Sequence, residues 1–415
     1  MRRCSYWHVV IILSVVLYTH PAAAKEDCIQ AAKLSDAAAE VAASNPGLAE
    51  KKLRQAIESC DSSASLHYNL ALTTYQQTRF TDAEAELERA IELNPSLAKA
   101  YNALALLYPL KPDGDLARAK ELAEKALYYD PANRGYKHTL EMLNESVDFP
   151  PRTTVNKPDA VAVVIGNRNY RNSILPSVAY AVQDATAMKK YLTESLGFKE
   201  NNIIFLTNAA YVDFIKLFGD ANDYKGILYN RTRKDRSDIF IYYSGHGAPD
   251  TNTKKPYLVP SDADPSIIKI TGYPLETFYG NLAKLENDKK PKSITIVLDA
   301  CFSGGYNNGM LISNASPIYI ETSNPALTLK EAVVFSSSKG NQISSWYNEQ
   351  NHGLFTYNFL KTLKSDIEQG KRGITARDME KALLDADGVN DQAWRLYNRE
   401  QEPQITGNKD IVLLP

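Results

Sequence analysis

The chain has 415 residues, with 47 Lys+Arg against 49 Asp+Glu and a formal charge of −2. At about 100–200 residues per domain this length predicts two or three domains, and 44% hydrophobic with 23% charged residues excludes wholesale disorder. The balanced charge lacks the basic surplus of a nucleic-acid binder, so no nucleic-acid partner is expected.

The first 24 residues read as a secretory signal. Arg2 and Arg3 precede an apolar run from Trp7 to Tyr18, and Ala22-Ala23-Ala24 offers small residues for cleavage after Ala24. The run is shorter than the roughly 20 apolar residues of a spanning helix; an uncleaved anchor is the alternative. The expectation is an exported protein, periplasmic or secreted, with no membrane attachment after signal removal. Export gives the cysteines a redox context. Cys4 leaves with the signal, and Cys28, Cys60 and Cys301 remain. An odd count in an oxidising compartment points to one disulfide and one free thiol. Cys28 and Cys60 share the N-terminal helical region and are the natural pair; the alternative is that all three are small buried hydrophobes.

Residues 25–147 are rich in Ala, Leu, Glu and Lys and read as helical throughout. Leu70-Ala71, Ala83, Leu87, Ala90 and Pro95 recur as Leu104-Ala105, Ala119, Ala126 and Pro131, close to the period of about 34 residues of a helical repeat. Ala49 and Ala56 mark an earlier partial copy. The two residues beyond that period are expected in the loop Lys111–Gly114. This pattern resembles the tetratricopeptide family, which implies a surface for a protein or peptide partner; a plain helical bundle is the alternative. Phe149-Pro150-Pro151 to Lys157-Pro158 reads as an extended linker over 148–158.

From 159 to 415 apolar strands alternate with helices. Strands are expected at Ala160–Ile165, Asn202–Thr207, Asp238–Tyr243, Ser293–Leu298 and Ala332–Ser336, and helices at Val178–Leu196, Leu275–Glu286 and Leu354–Ile367. Continuous apolar strands between helices predict a mostly parallel sheet with helices on both faces, and ligands bind beyond the carboxyl ends of such strands.

Two strands run into reactive residues. Asp238–Tyr243 leads into Ser244-Gly245-His246-Gly247, and Ser293–Leu298 into Asp299-Ala300-Cys301-Phe302-Ser303-Gly304-Gly305. Parallel neighbours would bring His246 and Cys301 out at one edge, where an imidazole activates a thiol and later protonates a leaving amine. The N–H groups of Gly247 and Cys301 would face a developing oxyanion. His352 precedes a helix start and reads as a surface or substrate-loop residue. No G-x-S-x-G elbow and no P-loop occur.

The ordered set VAVVIGNRNY (161–170), Asp184-Ala185, SGHG (244–247), DACFSGG (299–305), Val333–Ser338, Gly353–Thr356 and Gln401–Gln404 with Gly407 resembles the caspase-like peptidase family, nearer its metacaspase and bacterial branch. The resemblance implies a cysteine endopeptidase with His246 and Cys301 as catalytic dyad and Gly247 and Cys301 as oxyanion donors. It further implies that Asp184, Ser244 and Asp299 line the first specificity pocket. An acidic pocket selects a substrate Arg or Lys, since desolvated opposite charges attract. Asp299 as a carboxylate bonded to backbone N–H groups, and Asp184 as a helix-surface acid, are the structural alternatives. Ala181 stands where many metacaspases carry Cys.

Family members that mature by self-cleavage usually cut between the catalytic Cys and the next strand. Between Phe302 and Ser338 the only basic residue is Lys330, so activity as a single chain is expected, or cleavage elsewhere, with Arg231–Arg236 as the alternative exposed site. Metacaspases often need calcium; Asp250, Asp262 and Asp264 lie in loops without EF-hand spacing, and no metal or other cofactor is assigned. Two rival functions stand beside the peptidase: a non-catalytic caspase-fold adaptor acting through the repeats, and a transpeptidase or amidase using the same dyad.

Overall fold

The computed structural model describes residues 21–111, 115–250, 252–300, 305–306, 309–310, 329–340 and 342–415. The chain divides into two compact units between Asn144 and Glu145. Among the described residues no helix is long and apolar enough to cross a membrane.

The first unit is all helix: α1 (Pro21–Ala42), α2 (Pro46–Ser59), α3 (Ala64–Gln76), α4 (Phe80–Leu93), α5 (Ala98–Leu107), α6 (Leu116–Tyr129) and α7 (Arg134–Glu145). Local chemistry sets the ends. Asn45 and Asp115 accept N–H bonds at the starts of α2 and α6. Asn94 and Asp130 end α4 and α6 because each precedes a proline. Ala49, Ala56, Ala83, Ala90, Ala100, Ala105, Ala119 and Ala126 are fully buried. With only a methyl at these seams, paired helices approach closely and stack in tetratricopeptide fashion over two hydrophobic clusters, one on α1–α3 and one on α3–α7. Residues 112–114, most of the loop expected to hold the extra repeat residues, lie outside the described residues. Cys28 of α1 and Cys60 after α2 are joined by a disulfide.

The second unit is built on a six-stranded sheet. Its strands are β1 (Val161–Gly166), β2 (Ile203–Thr207), β3 (Asp238–Ser244), β4 (Ser293–Asp299), β5 (Ala332–Ser336) and β6 (Gln404–Gly407). The spatial order is β6-β5-β4-β3-β1-β2. All neighbours are parallel except β5 and β6. The five expected strands are present, and β6 is added as an antiparallel edge that the sequence pattern does not announce. Ala162, Val164, Phe240, Tyr242, Val297, Val333 and Phe335 face one core. It is closed by α8 (Ala181–Lys190) and the helix Leu354–Glu368. Ile165, Ile241, Tyr243, Ile296 and Val334 face the opposite core, closed by Tyr211–Phe218 and Leu275–Lys289. Burial on both faces is why the strands read as unbroken apolar runs.

The stretch expected as a linker is an extended strap bonded to this unit. Val147 is buried in its core. The N–H of Thr153 donates to Glu194 O (3.0 Å), its hydroxyl to Ser195 O (2.6 Å), and the N–H of Lys157 to Gly197 O (2.8 Å). The reason lies after α8, where Tyr191–Ser195 form a π-helical turn. Carbonyls at a helix end lack intrahelical partners, and the strap supplies the donors.

The disulfide closes a sequence separation of 32 residues. Its removal in a Cys28→Ala/Cys60→Ala chain is expected to cost the helical unit about 3 kcal/mol. Thermal melts followed by circular dichroism, with and without reductant, check this: the double variant melts lower and no longer responds to reductant.

Candidate functional site

Register builds the site. Gly166 pairs with Ser244, and Ser244 with Asp299, so three adjacent parallel strands end level. The ends are stitched by Asn167 N–H to Ser244 O (2.8 Å) and Gly245 N–H to Asp299 O (3.2 Å). The fully buried Asn167 side chain accepts from Ala209 N (2.7 Å) and donates to the carbonyls of Ala209 and Val259. Side chains alternate along a strand. Ser244 and Asp299 therefore share the face of Tyr242 and Val297, the one covered by α8.

His246 leaves this edge beyond β3. Its N–H donates to the Tyr170 hydroxyl (2.8 Å), and its ring centroid lies 4.8 Å from that of Tyr170. Its Nε2 lies 2.8 Å from Pro176 O. A carbonyl only accepts, so Nε2 carries the proton and Nδ1 keeps the lone pair. Burial holds this imidazole down at about 4, against a small opposing effect of the Pro176 carbonyl, so it is neutral at pH 7. Gly245 is needed here: a Cβ would meet the Tyr243 hydroxyl at 2.6 Å and the Tyr170 hydroxyl at 3.0 Å. Gly247 opens the short strand Gly247–Pro249, antiparallel to Pro256–Leu258. Val259 N–H bonds to His246 O (3.0 Å), which makes Gly247–Leu258 a non-hydrogen-bonded pair and leaves the Gly247 N–H directed away from that strand. Cys301, two residues after Asp299, lies outside the described residues.

Asp184, Ser244 and Asp299 come together on the α8 side. Asp184 is buried and accepts from the His352 Nδ1 (2.7 Å), from Gly353 N–H (3.1 and 3.2 Å) and from the Ser244 hydroxyl (3.4 Å). Asp299 accepts from the Thr356 hydroxyl (2.7 Å) and N–H (3.3 Å). The Thr356 oxygen also meets the Tyr242 hydroxyl at 2.7 Å. Both carboxylates thus sit at the N-terminus of the helix Leu354–Glu368, where exposed N–H groups and the helix dipole favour negative charge. Burial nevertheless pushes both up. Asp299 reaches about 7, helped by the nearby Asp184 charge; Asp184 rises less freely, since His352 opposes the effect of burial.

Of the two places expected for His352, surface or substrate loop, the surface is excluded. The residue is 1% exposed and lies between Asp184 and Asp148, with Nε2 3.3 Å from Asp148 Oδ1. That second contact has ion-pair distance without hydrogen-bond alignment. Burial alone would depress the ring, but the two carboxylates override it and raise it to about 10. The pairing of His352-Gly353 with Trp346-Tyr347 holds this stretch in place, and the sequence-distant Asp184 and Asp148 receive the imidazole.

Sequence reading missed Tyr170, Pro176, Asp148, Gly353 and Thr356 as parts of this site. Pro176 acts through a carbonyl, which has no side-chain signature. The loop acids are engaged locally: Asp250 accepts from Thr253 and Asn252, Asp262 from Tyr211 N–H, and Asp264 from Ser266. Among the described residues no group of His, Cys, Asp and Glu is arranged to hold a metal ion.

The family model described as Caspase domain matches residues 159–409. A solved structure of caspase-1 from Spodoptera frugiperda is 16% identical, covering 62% of this chain and 90% of its own, with a TM-score of 0.39. The second tetratricopeptide domain of human RPAP3, solved with an HSP70 peptide, is 22% identical over 28% of this chain and 98% of its own, with a TM-score of 0.27. An Hsp70-Hsp90 organizing protein of Triticum aestivum is 38% identical over 74 residues, which span 18% of this chain and 12% of that protein.

Two outcomes test the site. A Cβ on Gly353 would meet Asp299 Oδ2 at 2.5 Å and Asp184 Oδ2 at 3.1 Å, whereas one on Gly280 meets nothing within 4 Å. Gly353→Ala is expected to cost about 1–3 kcal/mol by overpacking, read as a lower urea midpoint, while Gly280→Ala stabilises by about 0.5–1 kcal/mol as a helix substitution. The second outcome concerns acid. His246 is held at about 4 in the folded chain against about 6.5 unfolded. At this group the unfolded chain binds more protons between these values, so the His246 contribution to stability is lost as pH drops from 6.5 to 4, while Asp299, held up at about 7, acts in the opposite direction over the same window. Melts of both chains across that window check this: the wild type loses stability relative to His246→Gln as pH falls from 6.5 to 4.

Proposed function

Since the chain belongs to the caspase domain family, we propose that it is a cysteine endopeptidase that cleaves protein substrates after Arg or Lys and uses its helical repeats to hold a protein partner. The observation that carries this reading is the level ending of β3 and β4 at Ser244 and Asp299, which sends the chain towards His246 and Cys301 from adjacent parallel strands.

In this mechanism the Cys301 thiol gives its proton to His246 Nδ1, the nitrogen left with a lone pair by the Nε2–Pro176 contact. The sulfur attacks the scissile carbonyl carbon, and the N–H groups of Gly247 and Cys301 receive the oxyanion. His246 then protonates the departing amine as the C–N bond breaks, leaving a thioester. Water, deprotonated by His246, attacks the thioester and releases the acid and the thiol. Asp299 and Asp184 supply the negative pocket that a basic side chain enters, with Ser244 between them.

Activity without internal cleavage is part of the proposal. The N–H groups of Lys330 and Glu331 are held by the Glu286 carboxylate (3.0–3.1 and 2.6 Å), which ties that bond to the helix Leu275–Lys289. Arg233 and Arg236 of the other basic run pair with Asp159. The repeats offer a groove of about 250 Å³ lined by Tyr68, Leu72, Tyr75, Lys99, Asn102 and Tyr136. Its aromatic walls, and Lys99 4.3 Å above the Tyr68 ring, suit an extended peptide. The protein is proposed to work after export, where the Cys28–Cys60 bond persists.

The test uses matched peptides ending in Arg, Lys, Asp or Leu before a reporter, with the purified chain lacking residues 1–24. Cleavage after Arg and Lys is expected, falling about 10³-fold or more in Cys301→Ala and rising with pH through about 7 as Asp299 ionises. Asp299→Asn is expected to lower the preference for Arg over Leu at least about 30-fold. Cleavage only after Asp overturns the acidic pocket. No cleavage of any peptide, with or without calcium, favours an adaptor that acts through the repeats.

A further inference from the structure

Two carboxylates that crowd the space where Gly353 would carry a Cβ repel, and in a buried site one of them must be neutralised by a proton or by a cation. The structure supplies a cation to only one. Asp184 has His352 on Oδ1 at 2.7 Å, and both its oxygens accept from Gly353 N–H. Asp299 accepts from Thr356 and has no cation within hydrogen-bond reach among the described residues. His352 is held from its other side by Asp148 at 3.3 Å. Asp148 is itself fixed in the strap by Gln183 Nε2 (2.7 Å), while Lys190 Nζ reaches its carbonyl (3.4 Å).

We propose that His352 is a positioning residue for specificity: clamped between Asp148 and Asp184, it occupies the Asp184 carboxylate and leaves Asp299 as the charge that receives a substrate Arg or Lys. The inference rests on the proposed cleavage after basic residues. It divides the labour between two acids that the family pattern treats alike. Asp184 becomes the fixed wall of the pocket, saturated by His352, Gly353 and Ser244. Asp299 becomes the unpaired charge, and a basic side chain completes its coordination. The ionisable groups facing the site are Asp148 from the strap, Asp184 from α8, Tyr242 from β3, Asp299 from β4 and His352 itself; Lys190 of α8 faces the Asp148 backbone.

With His352 replaced by Gln, Asp184 and Asp299 would share one proton near neutral pH, as close carboxylate pairs do. The expected result for an Arg-ended peptide at pH 7 is a KM raised about tenfold with kcat within about threefold, since the reacting groups are untouched. The acid limb of kcat/KM moves up by about one pH unit. A Leu-ended peptide shows neither change. Asp148→Asn, at a partly exposed position, moves both readings in the same direction by less, and decides between the outcomes should His352→Gln fail to fold. A second measurement does not depend on turnover. In the Cys301→Ala chain with labelled histidines, the signal absent from the His352→Gln spectrum is expected to stay protonated at pH 8. Titration of that signal between pH 6 and 7 overturns the proposal. So does a wild-type preference for Arg that His352→Gln leaves unchanged in KM and pH profile. A wild-type protein without preference for basic ends overturns the specificity reading itself, and the role of His352 falls with it.

Discussion

The level ending of β1, β3 and β4 is the constraint on which the rest of the second unit depends. Parallel strands in register bring Gly166, Ser244 and Asp299 side by side, and the pleat sends the Ser244 and Asp299 side chains to one face. A slip of one residue would turn both towards the opposite core, among Tyr243 and Leu298. The carboxylate would then be buried among aromatics and aliphatics with no donor. The side chains that β3 and β4 pack into the two cores fix this register, so the packing of Ile241, Tyr242, Ile296 and Val297 determines where the acid stands. Stability and site geometry are the same fact at this edge.

The helix Leu354–Glu368 answers the carboxylates. A helix N-terminus aimed at a sheet edge offers unpaired N–H groups, and Gly353 and Thr356 use them on Asp184 and Asp299. Close approach is possible only because position 353 has no side chain. The strap 148–158 contributes from the third direction through Asp148. Its path follows from the π-turn Tyr191–Ser195, whose carbonyls take strap donors. One irregular turn after α8 therefore routes the segment that carries an acid to His352.

The strands were legible because burial on both faces leaves long apolar runs, and the repeats because Ala must recur where helices touch. The edge strand Gln404–Gly407 was not legible: half-buried and antiparallel, it carries polar residues. The 148–158 segment has the composition of a linker, and its bonds to residues such as Gln183, Glu194, Ser195 and Gly197 make it part of the unit. The cluster of Asp184, Ser244 and Asp299 could be carried over from family resemblance residue by residue. His352 could not. A histidine before Gly-Leu-Phe-Thr has the same local signature whether it faces solvent or two carboxylates, and the difference lies in residues far away in sequence, Asp148 and Asp184.

His246 and His352 differ in what stands beside them rather than in depth. Both are buried in the same domain, and burial disfavours the charged form of each. Beside His246 stands a carbonyl, Pro176 O, whose dipole offsets little of that cost, so the ring goes down to about 4. Beside His352 stand two carboxylates, and their charge exceeds the desolvation, so the ring goes up to about 10. At neutral pH the first is a neutral ring with one lone pair available, and the second is a fixed cation with none. Only the first is able to accept a proton. The second can only hold an anion in place, and Asp184 is the anion it holds. Exchanging their partners, rather than the histidines themselves, would exchange the two roles.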